Sequence, residues 1–351
     1  MNVLLLNDTA TVPHVGCQAV SDAHARLLGE AGHRVTDRAF LGELRRFAGR
    51  DEEAAIRQVL ADASLRERLE ACDAVVVNGE GTLHHGSGTE YFAVLGAAQR
   101  LRKATLIVNA VFEAHAGWRQ VLAMLDDFCV RDLHSLDHAR SHGLHCRLVP
   151  DSFLAAQFDA ARFVDLSEQI VVTDWHPLRD GDVGQTMRTL LGSVESTFYF
   201  PLLHGIHAQL WRGAADAWSG ASLIVTGRHH GIYLAAIARR PFIALPSNTR
   251  KVEGLIASAG ADIPVCVTTA DVEAGVSHAM HNLGEYERLF DWLSAQLPLS
   301  TFAALGRADG DSDAASEVAR LAEQRALRGS AATPAHWGLG NGRGAGITSL
   351  G

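Results

Sequence analysis

The stretch DAVVVNGEGTLHHG, Asp73 to Gly86, decides the fold. Ala74 to Val77 is an unbroken, β-branched apolar run, the signature of a strand covered on both faces. It ends directly in a segment carrying Gly79, Gly81 and Gly86 together with Glu80, His84 and His85. A buried strand that runs into a glycine-rich polar loop is half of a strand–helix unit, and the amphipathic pattern at 89–102 supplies the helix. The pattern repeats outward. Val3 to Leu6 is a strand ended by Asn7-Asp8, followed by a loop with Pro13 and Gly16 and a helix over 18–30 that stops at Gly32. A short strand is expected at 33–36, helix over 51–71, a strand at 104–110, helix at 117–126 and a strand at 128–130.

The alternation restarts after about residue 165. Strands fit 169–174, 196–200, 222–226 and 241–245, with helices near 183–192, 205–215 and 230–239 between them. The expectation is two α/β, Rossmann-like domains with parallel sheets facing a cleft, residues 1–165 and 166–310, joined near 151–168. A helix rich in Leu, Phe and Trp fits 281–297. A third segment, 311–351, reads as a polar helix over 311–328 and a flexible glycine-rich tail from Gly329 in which Trp337 stands alone.

Composition bounds the function. With 351 residues, 47% hydrophobic and 20% charged, the chain is ordinary globular material. Lys and Arg number 31 against 40 Asp and Glu, a net charge of −9, which disfavours a general nucleic-acid binder but leaves room for a small anion in one local basic pocket. MNVLLLND lacks the features of a secretory signal, and no apolar run approaches the roughly 20 residues of a membrane span. The five scattered cysteines fit free thiols in the cytoplasm.

In open parallel sheets, ligands bind beyond the carboxyl ends of the strands. Four polar segments fall there: Asn7-Asp8 with its loop, the 78–86 loop, Asp174-Trp175-His176, and Gly227-Arg228-His229-His230-Gly231. The first glycine-rich segment is no dinucleotide fingerprint, since position 84 is histidine, and no phosphate loop, since Gly-Lys-Ser/Thr is absent. Arg228 offers a planar, permanently charged fork for phosphate or carboxylate, and His230 can carry a proton near neutral pH. Arg250 and Lys251 suit the same anion or are two solvated residues at a helix start. Trp175 stacks on a sugar ring or belongs to the core. His134, His138 and His142 share one helical face, where a solvated or packed stripe is the simpler reading than a metal site. Neither zinc-ligand spacing nor a nucleophile elbow occurs, so no metal is expected.

NGEGTLHH after a strand, Val130-Arg131-Asp132 with Ser135, Val149-Pro150-Asp151, and TGRHHGIYLAAIARRPFIAL at 226–245 with Lys251 beyond follow one another in an order that resembles the polysaccharide pyruvyl transferase family. The resemblance spans roughly residues 1–260. It implies a two-domain fold of the GT-B glycosyltransferase type. It also implies transfer of a pyruvyl group from phosphoenolpyruvate to two hydroxyls of a sugar as a cyclic ketal, with release of phosphate. The family's Arg-x-His motif falls on Arg228 and His230. His229 lies between them where members commonly have leucine, and Glu80 stands in the place of a more usual glycine.

On this reading His230, Glu80 and Arg228 are the catalytic set. Gly79, Gly81, His84, Asp8, Trp175, Arg250 and Lys251 contact substrate. No cofactor is expected beyond phosphoenolpyruvate as co-substrate, and the acceptor is a sugar or lipid-linked glycan of a bacterial surface-polysaccharide precursor. Placement is cytoplasmic, peripheral to the inner membrane where the acceptor is lipid-linked. The alternative is a GT-B glycosyltransferase with a nucleotide-sugar donor. A non-enzymatic glycan-binding protein would leave Glu80, Arg228 and His230 apart.

Overall fold

The computed structural model describes residues 1–306 apart from 50, 114, 162, 205 and 297–300. The expected helix at 311–328, the tail and Trp337 lie outside the described residues. Two parallel sheets, each flanked by helices, form a GT-B-like pair. The first holds β1 (Asn2–Asp8), β2 (Arg34–Phe40), β3 (Ala74–Leu83), β4 (Ala104–Phe112), β5 (Asp127–Val130) and β6 (Arg147–Leu148), in the order β2-β1-β3-β4-β5-β6. The second holds β7 (Ile170–Val172), β8 (Thr197–Tyr199), β9 (Leu223–Thr226) and β10 (Phe242–Ala244), in the order β10-β9-β7-β8. Every ladder is parallel. The apolar runs occupy central strands for the expected reason: Leu4 to Leu6 and Val75 to Val77 are wholly buried between two helical layers.

Several elements differ from the sequence reading. β3 continues to Leu83 and absorbs most of the segment read as a loop. The helix expected over 51–71 is two, Glu52–Ala61 and Ala63–Ala71. Asp62 breaks them because its carboxylate accepts the Leu65 N–H at 2.9 Å and starts the second. The stretch near 205–215 resolves into short turns around Ile206–Gln209 and Ala214–Trp218. The helix Lys251–Ser258 begins at the helix start that one reading of Arg250 and Lys251 allowed, whereas Thr269–His281 was not expected and is announced by a capping box between Thr268 and Asp271.

The two halves are stitched together by the helix Val15–Glu30. It follows β1, yet its Val15, Ala19 and Val20 pack in the core of the second sheet with Phe153, Leu202 and Trp211. Its entry loop pairs with the second half through Val15 N–H to Leu202 O at 2.8 Å and His204 N–H to Pro13 O at 2.6 Å. Farther on, Phe302 and Leu305 return to the first sheet and pack with Val3, Leu5 and Leu106. In each sheet the strand order reverses once, at β1/β3 and at β7/β9. Crevices open at such switch points. The residues that end these four strands are the ones the site is built from.

Candidate functional site

Three non-glycine residues at the tips of neighbouring strands adopt positive φ: Asn7 in β1 (55°), Glu80 in β3 (35°) and Asn109 in β4 (57°). L-residues enter this region at a cost of about 1–2 kcal/mol each, so each must be held there. A buried amide ladder does this. Tyr91 Oη donates to Asn7 Oδ1 at 2.8 Å, and Asn7 Nδ2 donates to Asn78 O at 2.6 Å. Asn109 Nδ2 donates to Asn78 Oδ1 at 3.3 Å, and Ser152 N–H donates to Asn109 Oδ1 at 3.3 Å. The ladder ends on Glu80. Its Oε1 accepts from Thr9 Oγ1 at 2.8 Å and Asn78 Nδ2 at 3.1 Å, and its Oε2 from Cys17 Sγ at 3.5 Å. The Glu80 carboxylate is therefore buried and fixed, in a backbone conformation glycine would occupy freely.

The second half brings His229–Ile237, the helix after β9, with Arg228 as its first flanking residue. Gly231 is required there: a Cβ would lie 2.1 Å from Thr226 Oγ1. Arg228 Nε and Nη2 both bind Asp174 Oδ2, at 2.8 and 2.5 Å, and Asp174 Oδ1 accepts the Leu202 N–H at 2.6 Å. The guanidinium expected to be a free anion receptor is thus clamped by a carboxylate from the other strand of the switch point. Its Nη1 carries no hydrogen bond to the described residues.

His230 crosses between the halves. A Cβ on Gly16 would lie 2.0 Å from its Nδ1, so glycine at 16 is what admits the imidazole. Its ring meets His14 edge-on at 5.5 Å and Phe153 at 5.4 Å. His14 Nδ1 accepts the Gly16 N–H at 2.9 Å and so caps the helix Val15–Glu30 in its neutral form. Burial, then the His230, Arg228 and Lys251 charges, hold His14 well below the usual histidine range.

Beneath these rings lies a buried ion pair. Arg131 Nη1 sits 2.5 Å from Asp151 Oδ2, with both side chains shut off from solvent. The Nε2 atoms of His229 and His230 stand 3.4 and 3.3 Å from the same oxygen. Tyr233 Oη donates no proton there; it accepts the Asp151 N–H at 3.2 Å. Although buried, Asp151 is held well below the usual carboxylate range by Arg131 and His230, whereas burial pushes His229 down to about 3.

Lys251 completes the arrangement from the first turn of its helix. Its Nζ donates to Asn248 Oδ1 at 2.8 Å and forms no ion pair among the described residues. Burial, with Arg131 and Arg228 adding to it and Glu80 opposing, pushes Lys251 down to about 7. A Cβ at Gly81 would lie 3.9 Å from both Lys251 Nζ and His84 Nε2, so Gly81 and His84 border the same space. Burial also pushes His84 down to about 4. Lys251, Arg250, Asn248 and Thr249 line one side of a cleft of about 610 Å³, with Glu113, His134 and His138 of the first half on the other.

The structure brings Glu80 and His230 to one segment, Gly16 lying against the imidazole and Cys17 donating to the carboxylate, with Lys251 in electrostatic reach of Glu80 and Arg228; Glu80, Arg228 and His230 do not themselves line the 610 Å³ cleft. Gly81, His84 and Arg250 border this region. Three expected contacts do not. Gly79 serves strand packing, since a Cβ would meet Ala110 Cβ at 2.5 Å. Asp8 is turned away, accepting from Ser21 Oγ at 2.5 Å and paired with Arg38. Trp175 stands beside Gly227, but its ring is held within its own domain, Nε1 donating to Asp180 at 3.0 Å and Arg188 lying over it at 5.4 Å. Arg131, Asp151, Cys17 and His14 were not singled out as site residues, although VRD placed Arg131 just beyond an expected strand and VPD stood among the motifs that carry the resemblance.

Among the described residues, no group of three or more His, Cys, Asp or Glu is placed to hold a metal ion, and no helix is long and apolar enough to cross a membrane.

The model of the family described as polysaccharide pyruvyl transferase matches residues 14–249. No curated protein matches the sequence. Among solved structures, the chain is similar to a Listeria monocytogenes protein assigned as a UDP-N-acetylglucosamine 2-epimerase, with a TM-score of 0.55 and 13% identity over 86% of this chain and 93% of that one. It is also similar to MnaA of S. aureus in its co-structure with UDP (TM-score 0.54, 12% identity, 83% and 91% covered). A third likeness is to the Neisseria meningitidis UDP-GlcNAc 2-epimerase bound to UDP-GlcNAc (TM-score 0.50, 13% identity, 82% and 94% covered). At these identities the likeness is one of fold.

Proposed function

The chain belongs to the polysaccharide pyruvyl transferase family, and we propose that it moves a pyruvyl group from phosphoenolpyruvate onto two hydroxyls of a sugar in a bacterial surface-glycan precursor. What supports this reading is that Gly16 and Cys17 bring His230 and Glu80 to one segment, with Lys251 in electrostatic reach of Glu80 and Arg228. Phosphoenolpyruvate carries a carboxylate and a phosphate, and Lys251, with no carboxylate bonded to it, is the cation free to meet one of them. Arg228 presents its remaining nitrogen from a fixed position, because Asp174 orients it.

The chemistry needs one proton delivered and others removed. A sugar hydroxyl attacks the central carbon of the enol phosphate while the methylene carbon takes a proton and becomes methyl. The second hydroxyl then displaces phosphate. Of the two hydroxyl protons released, one balances the methyl group and the other leaves with phosphate. Glu80 and His230 are the proton carriers, and groups in such roles contribute roughly 10²–10⁴-fold each. Trp175 has no part in this reading; the acceptor sugar lies against Gly81, His84 and the cleft lined by Glu113 and Arg250. The enzyme is placed in the cytoplasm, where a lipid-linked acceptor would bring it to the inner membrane, and the reading calls for no cofactor.

A nucleotide-sugar donor is the second reading. It is favoured by the fold likeness to UDP-bound proteins, and on it the same cations would hold a diphosphate. Thermal stabilisation by phosphoenolpyruvate and by UDP, GDP and CMP separates the two. Ligand at 100 times its dissociation constant adds about 2.7 kcal/mol. Stabilisation by phosphoenolpyruvate that is lost in Lys251→Met and Arg228→Ala supports pyruvyl transfer; stabilisation by one nucleotide alone replaces it with the second reading.

A further inference from the structure

We propose that Asp151 is a positioning residue that fixes the tautomer of His230, holding the proton on Nε2 and leaving Nδ1 as the nitrogen that takes a proton from substrate. The proposal rests on reading His230 as a proton carrier. Its physical basis does not depend on which donor is used.

His230 Nε2 is closed to solvent and lies 3.3 Å from Asp151 Oδ2, an ion-pair contact outside hydrogen-bond geometry. A lone pair on that nitrogen would oppose the negative potential of a carboxylate oxygen, whereas an N–H there is favoured by it. Asp151 is fixed in the ionised form that makes this choice, because Arg131 Nη1 lies 2.5 Å from Oδ2 and the Phe153 N–H donates to Oδ1 at 3.0 Å. The ring cannot turn away: Phe153 covers it at 5.4 Å, His14 abuts it at 5.5 Å, and the backbone of Gly16 lies beneath. Nδ1, on the Gly16 side, makes no hydrogen bond to the described residues.

The charged and titratable groups around the ring are therefore Asp151, Arg131, His14 and His229, with Arg228 and Lys251 beyond His14. The departure at 229 has a consequence here. Where relatives commonly have leucine, His229 brings a second Nε2 to 3.4 Å from the same oxygen, so two imidazoles face one carboxylate.

The test is a long-range ¹H–¹⁵N correlation spectrum of the full chain carrying ¹⁵N-histidine, at pH 8, with His230 assigned by the signals lost in His230→Asn. The expected result is a protonated Nε2 and a bare Nδ1. A protonated Nδ1 in the wild type overturns the proposal by itself, whatever the variants do. In Asp151→Ala the acceptor is gone and the Arg131 guanidinium is left toward Nε2, so the tautomer is expected to switch to Nδ1–H, with kcat falling roughly 10²–10⁴-fold and KM little changed. An unchanged tautomer in a folded Asp151→Ala also overturns it. If that variant does not fold, His229→Leu takes its place: removing the rival ring should keep the Nε2–H form, and a switch to Nδ1–H refutes the assignment. Absence of turnover with both phosphoenolpyruvate and nucleotide sugars, beside the expected wild-type spectrum, overturns the proposed reaction and upholds the positioning role.

Discussion

Replacing Lys251 by methionine removes a cation that the fold holds at a disadvantage, and the effect must depend on pH in a defined way. In the unfolded chain this amine keeps its proton up to about 10.5; in the folded chain burial and the Arg131 and Arg228 charges release it near 7. Between those values the unfolded state binds more protons, so the Lys251 contribution to stability rises with pH across that window and is at its most unfavourable below pH 7. At about 1.36 kcal/mol per unit, the penalty is roughly 4 kcal/mol at pH 7 and roughly 2 at pH 9. Lys251 keeps partial contact with solvent, which reduces the difference to about 1–2 kcal/mol. Urea denaturation of wild type and Lys251→Met at both pH values isolates it, because groups common to both proteins cancel. Wild type should gain about 1–2 kcal/mol more than the variant between pH 7 and pH 9. Phosphoenolpyruvate should reverse the imbalance at pH 7. An anion against the amine restores its proton, so calorimetry in buffers of different ionisation enthalpy should register uptake of about half a proton per ligand. Identical pH dependence in the two proteins, to within about 0.5 kcal/mol, would refute the account of Lys251 as a depressed cation awaiting an anion.

Other substitutions probe the remaining parts. Gly16→Ala puts a methyl group on the His230 ring; overpacking should cost about 1–3 kcal/mol in urea denaturation and abolish turnover through the displaced imidazole. Glu80→Gln keeps the side-chain volume and should lower phosphate release from phosphoenolpyruvate by roughly 10²–10⁴-fold with little change in melting temperature. Arg131→Met strands a buried carboxylate, and a loss of about 3–5 kcal/mol in denaturation at pH 8 is expected, shrinking as acid protonates Asp151.

The fold was legible because its deciding residues report their own surroundings. Ala74 to Val77 has no polar face, and only a central strand between two layers of helices tolerates that. Strand ends could then be found by where the apolar runs stop, and most of the polar residues just beyond them converge. The exceptions show what a linear reading lacks. Asp8 and Trp175 stand at strand ends like the others, but a strand end has two sides. Asp8 is turned by Arg38 and Ser21 on the neighbouring strand and helix, and Trp175 by Asp180 and Arg188 within its own half. No local signal in either segment names those partners.

Arg131 and Asp151 are the converse. Asp151 looks like a turn cap, and it does receive the Phe153 N–H in that way, while Arg131 stands before the helix cap Asp132. Their shared burial appears only once β5 and the linker are set against the helix that carries His229 and His230. Glu80 shows why the local departure from pattern was the better guide. A carboxylate in a backbone conformation suited to glycine is retained only if something fixes it, and Thr9, Asn78 and Cys17 do so. Asn78 alone is near in sequence; Thr9 and Cys17 arrive from the loop and helix that also admit His230 through Gly16. The strain at residue 80 and the missing side chain at residue 16 therefore belong to one device: the segment 9–17 holds the carboxylate of one half and seats the imidazole of the other. Loosening that segment should disturb both proton carriers together.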